Sequence, residues 1–144
     1  MIDTNKILNY IYLIKSKTKE GIVVFWEYLY VKIYVTGVII LVSLNWYFAY
    51  FINSKVSQDL VVLHYNVDFG INLIGDVSRI YIIPAIGLFI FFINSGLAII
   101  VNRQRFDNTN TTRLLTHFIL GGALLANLFL LISLAFVYLI NFYR

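Results

Sequence analysis

The residues of this chain whose types and spacing could do chemistry are His64, Asn66 and Asp68, set two apart in the stretch Leu63-His64-Tyr65-Asn66-Val67-Asp68-Phe69-Gly70-Ile71-Asn72. In an extended chain that spacing projects all three side chains to one face, opposite Leu63, Tyr65, Val67, Phe69 and Ile71. One imidazole, one carboxylate and one amide oxygen hold a divalent ion only if waters or a second subunit complete the shell. A nucleophile with a base is less well supported. Ser54, Ser57 and Ser78 are near in sequence, yet none sits in a nucleophile elbow or a glycine-rich turn. A third reading gives His64 and Asp68 hydrogen bonds that hold a structured loop on the ends of helices, since polar groups packed beside apolar surface are paired.

The elements that must position this trio read as membrane-spanning helices. Of 144 residues, 60% are apolar and 12% charged, against roughly half and about a quarter in soluble domains. Three uncharged runs follow one another: Ile33 to Ile52, Ile80 to Val101 and Leu114 to Phe142. Each meets the roughly 20 residues that a bilayer requires. Trp26, Tyr28, Tyr30 and Tyr34 stand at the start of the first run and Trp46, Tyr47 and Tyr50 near its end, the pattern of two aromatic belts. Pro84 falls about one turn into the second run, where it costs little. The third carries Gly121-Gly122-Ala123 and the spacing from Gly122 to Ala126, which predicts close helix approach.

The remaining segments follow from these three. Residues 1–32 form a cytoplasmic or interfacial segment, in which Ile7, Leu8, Ile11 and Ile14 predict a surface helix over residues 3–16. The basic stretch Lys15 to Lys19 follows without a small-residue cleavage site, so this segment is expected to persist. Residues 53–79 form an external loop around the His64 stretch, with Asp76 or Ser78 placed to cap the next helix. Residues 102–113 form a basic cytoplasmic turn. The whole reads as a single membrane domain, 1–144.

Charge sets the orientation. Lys6, Lys15, Lys17, Lys19, Lys32, Arg103, Arg105 and Arg113 fall on one side, against Lys55, Arg79 and Arg144 on the other. The positive-inside rule then predicts a cytoplasmic N-terminus, with the His64 loop and the C-terminus outside. The net charge of +4 is spread beside apolar segments, so anionic lipid headgroups are the expected partner and nucleic acid is not. Cysteine is absent, which excludes disulfides and thiolate sites. No glycine-rich phosphate loop, paired catalytic carboxylates or HExxH helix is present. No cofactor and no enzyme activity are expected.

Inside the spans the polar groups are amides. Asn45, Asn94 and Asn127 each need a partner away from lipid and are expected to face inward as bundle glue, or to line a polar pathway. No Asp, Glu, Lys or Arg accompanies them within the three uncharged runs, which removes the usual signature of a proton relay or voltage sensor. His117 lies near the start of the third span, as a proton-responsive group or a satisfied interfacial histidine.

His64-Tyr65-Asn66 followed by Gly70, between a first helix and a second that has Pro84 in its early part, resembles the N-terminal domain of bacterial SdpI-type membrane proteins. That family often shows His-aromatic-Asn and then Gly after its first span. The likeness covers about residues 37–101. Val62 stands where the family commonly has proline, and the family continues with more spans. The resemblance implies a bacterial integral membrane protein of a kind that includes members acting in immunity to a secreted toxin or in associated signalling, and it identifies no catalytic residue.

The expectation is therefore an all-α membrane protein of three transmembrane helices, with an N-terminal interfacial amphipathic helix and a short, ordered, β-like extracytoplasmic loop. It is read as a small non-enzymatic inner-membrane protein whose loop contacts a membrane or secreted protein or peptide. The alternatives are a homo-oligomeric pore or transport accessory subunit, and a metal-dependent membrane-surface enzyme.

Overall fold

A computed structural model describes residues 4–55, 60–66, 70–103 and 109–142. In chain order these form helix α1 (Thr4–Glu27), helix α2 (Leu29–Lys55), strands β1 (Leu60–Asn66) and β2 (Gly70–Asp76), a 3-10 turn (Val77–Tyr81), and helices α3 (Ile82–Arg103) and α4 (Thr109–Phe142). Among the described residues, three helical segments are long and apolar enough to cross a membrane: Leu29–Lys55, Val77–Asn102 and Asn110–Phe142. At about 1.5 Å per residue each exceeds the roughly 30 Å of hydrocarbon. Their outward side chains include Ile39, Ile40, Phe89, Phe92, Phe118, Phe129 and Phe136. So much exposed apolar surface suits lipid and would be a liability in water. The chain is a multi-pass membrane protein.

Helix α1 continues past the 3–16 segment expected from the sequence and runs through the basic stretch to Glu27. The reason is local, because Lys and Glu are good helix formers and no proline interrupts them. Tyr28 divides α1 from α2. Its carbonyl accepts from Val31 N at 3.2 Å and Lys32 N at 3.4 Å, so a new helical ladder begins there.

Buried positions along α2 are Val31, Val35, Val38, Val42, Asn45, Ala49 and Ile52, an unbroken four-three alternation. Helix α4 repeats it with Thr116, Leu120, Ala123, Asn127, Leu134, Val137 and Asn141, and half-buried Leu130 fills the gap. This is a heptad seam, which confines contact to a narrow stripe and leaves the rest of each helix to lipid.

The described residues divide into two compact units, Met1–Thr36 with Ile93–Gly122, and Gly37–Phe92 with Ala123–Arg144. In the second unit one cluster joins Ala49, Ile52, Ile80, Leu134 and Val137, and another joins Val38, Val42 and Ala123. Close approach there occurs at two glycines. A Cβ on Gly37 would lie 2.8 Å from Leu124 Cδ1, and one on Gly87 would lie 2.5 Å from Asn127 Oδ1. Gly122 differs from the expectation of close packing, since no atom lies within 4 Å of its Cβ position. The seam passes through Leu120 and Ala123, which turns Gly122 outward.

Strands β1 and β2 form an antiparallel pair with Leu60 opposite Asp76 and Asn66 opposite Gly70. The register shifts between Val62 and His64 and again between His64 and Tyr65. Such irregularities interrupt simple alternation. Asp76 occupies the cap position of the 3-10 turn, not of an α-helix, and its side chain makes no capping hydrogen bond. Pro84 is the third residue of α3, directly after the 3-10 turn, and so falls in the first α-helical turn, where proline is tolerated.

Candidate functional site

The candidate site is the hairpin and the helix end that holds it. Asn141, in the last turn of α4, is 9% exposed. Its Oδ1 accepts from Val62 N at 2.8 Å. Its Nδ2 donates to Val62 O at 2.9 Å and to Val137 O at 2.7 Å. A carboxamide carries the same N–H and C=O pair as a peptide unit, so Asn141 pairs with Val62 as a single residue of an added strand would. Those are groups that an edge strand leaves open. Val61 and Val62 are buried beside the clamp, and Tyr138 one turn back stacks on Phe142 at 5.1 Å.

The clamp fixes β1 two residues before His64. His64 lies on β1 between the two register shifts, opposite Leu73, and Asn66 closes the strand opposite Gly70. Asp68 lies outside the described residues. Among the described residues no three His, Asp or Glu side chains are grouped as a metal site, and the trio itself falls partly beyond them.

The intramembrane asparagines divide. Asn45 and Asn127 are fully buried and joined: Asn45 Nδ2 donates to Asn127 O at 3.1 Å. Asn127 Nδ2 donates to Ala123 O at 3.0 Å and, more weakly, to Gly87 O at 3.4 Å. These bonds tie α2, α3 and α4 together in the second unit. Both side-chain oxygens are buried without a hydrogen-bond partner, a modest cost for carbonyl-type acceptors. Asn94 belongs to the first unit, where it is half-buried and has a partner of its own.

Sequence reasoning overlooked Asn102, Thr116 and Asn141. Asn102 Nδ2 donates to Ala98 O at 2.7 Å and to Thr116 Oγ1 at 3.0 Å, and Thr116 Oγ1 donates to Thr112 O at 2.8 Å. The missed signal was periodicity. Thr116, Asn127 and Asn141 share one heptad seam, and a polar residue on a seam must be paired.

His117 is set among tyrosines in the first unit. Tyr30 stacks on its ring at 4.4 Å, Tyr34 meets it edge-on at 5.6 Å, and the Tyr34 hydroxyl lies 3.4 Å from Nδ1. One turn earlier, Arg113 Cζ lies 6.0 Å over the ring of Tyr28.

No protein-family model matches the chain, and no curated protein or solved structure matches it.

Proposed function

We propose that this chain is a small, non-enzymatic bacterial inner-membrane protein whose Leu60–Asp76 hairpin contacts a partner protein or peptide outside the cytoplasm. The observation that carries the reading is the Asn141 clamp. A hairpin of two strands is marginal alone, and here two hydrogen bonds tie it to the end of a spanning helix, while a third, to Val137 O, fixes the Asn141 side chain on its own helix. Presenting a fixed surface reduces the ordering cost of association. The His64-Tyr65-Asn66 and Gly70 resemblance to SdpI-type proteins supports the bacterial, non-enzymatic part of the reading. On this reading α1 lies along the cytoplasmic membrane surface with its exposed Ile7, Leu8, Ile11 and Tyr12 toward lipid.

The test is crosslinking in the native membrane from a photoreactive residue at Ile74, which is 53% exposed on β2. A discrete crosslinked partner is expected, and its yield should collapse when His64, Asn66 and Asp68 are replaced together by alanine while insertion is unchanged. An undiminished yield in the inserted triple variant would sink the proposal.

A further inference from the structure

We infer that Arg113 and His117, held in place by Tyr28, Tyr30 and Tyr34, form a binding site for the phosphate of an anionic phospholipid. This site is separate from the hairpin and does not depend on its role. Arg113 and His117 are four residues apart on α4, so they share one helix face a single turn apart. Tyr30 and Tyr34 confine the imidazole from two sides at 4.4 and 5.6 Å. The Tyr34 hydroxyl lies 3.4 Å from Nδ1; in the tautomer in which that hydroxyl donates, the ring proton is on Nε2, a donor for a phosphate oxygen. Tyr28 supports the guanidinium from below and packs against Tyr30 at 5.4 Å. The planar fork of arginine matches two phosphate oxygens.

Charge balance points the same way. Helices α2 and α4 contain no Asp or Glu, and among the described residues Arg113 pairs with no carboxylate. Lys32, exposed between Tyr30 and Tyr34 in sequence, adds a second cation at this end of α2; the nearest acids in sequence are exposed Glu27, before Tyr28, and Asp107, six residues before Arg113 and outside the described residues.

Depth selects a lipid over a soluble phosphate. The uncharged run of α2 begins directly after Lys32, so Tyr34 and the His117 ring against it mark the edge of the hydrocarbon. Arg113 stands one turn, about 6 Å, farther out, at headgroup level. Leu114 and Phe118, following the two polar residues in sequence, are 57% and 70% exposed and offer apolar surface for the acyl chain.

The experiment is native mass spectrometry of the detergent-solubilised full chain titrated with phosphatidylglycerol or phosphatidylcholine. Phosphatidylglycerol should bind in preference, and R113Q should weaken it about tenfold, with R113K intermediate because it keeps the charge and loses the fork. K55Q should bind as the parent does. Y34F, which leaves the charge unchanged, should also weaken binding by releasing the imidazole. Loss of preference to an equal degree in K55Q would reduce the effect to general electrostatics and overturn the site. So would an absence of preference in the parent chain, or unchanged binding in both R113Q and Y34F. Displacement of the lipid by millimolar inorganic phosphate would assign the site to a soluble anion and overturn the lipid assignment.

Discussion

Asn141 does for the hairpin what a third strand would do, and it does so with one side chain. Replacing it by leucine removes three hydrogen bonds and leaves the Val62 N–H and C=O unpaired beside apolar side chains. A loss of about 2 to 3 kcal/mol is expected, read as a fall in thermal midpoint and as faster hydrogen exchange at Val62. N141D should be no better than N141L, because a carboxylate retains the acceptor for Val62 N but sets a second oxygen against Val62 O and Val137 O. Rescue by aspartate would contradict the clamp. At Gly87 the fit is tighter still, since a Cβ there would lie 2.5 Å from Asn127 Oδ1. G87A should cost about 1 to 3 kcal/mol. G87A combined with N127A should cost less than the two changes summed, because the second removes the atom that the first strikes. Strict additivity would show that the two sites do not meet.

At the scale of elements, the seams on α2 and α4 explain which small residues matter. Gly37 faces the flexible end of Leu124, Gly87 faces a hydrogen-bonded amide, and Gly122 faces open space. The three alanine substitutions should therefore rank G87A as the most destabilising, then G37A, with G122A neutral or stabilising by up to about 1 kcal/mol through helix propensity. Chemical denaturation in mixed micelles measures that order, and a large loss in G122A would mean that its outward face is covered in the assembled protein. The buried asparagines act on the same seams. In soluble coiled coils a polar residue at such a position sets register at some cost in stability, and within membranes an interhelical side-chain hydrogen bond averages about 0.6 kcal/mol. N45L should accordingly change stability by less than 2 kcal/mol, because it removes a single bond to Asn127 O.

For the whole molecule the question is orientation, and the absence of native cysteine makes single-cysteine labelling clean. On the proposed orientation, with the basic segments inside, S78C should react with an impermeant maleimide on intact spheroplasts, whereas N110C should react only after permeabilisation. Reversed accessibility would invert the assignment and place the hairpin in the cytoplasm.

What the sequence determined by itself was the set of spans. Composition, three long uncharged runs and aromatic girdles are local properties, and burial in lipid depends on little else. The run of α1 through Lys15 to Lys19 was also decided locally, but by helix propensity, which a reading of apolar periodicity alone underweights. Asn45 and Asn127 were legible as inward amides because an unpaired amide in hydrocarbon is costly. Only the tertiary structure decided their partners. Gly87 became a required glycine because Asn127, forty residues later, fills its missing side chain. Asn141 became the anchor of a hairpin seventy-nine residues earlier for the same reason. The heptad seam marks Asn141 as a residue that needs a partner, but nothing near either position in sequence names the partner, since a hydrogen bond between distant segments exists only once helix packing brings donor and acceptor within reach.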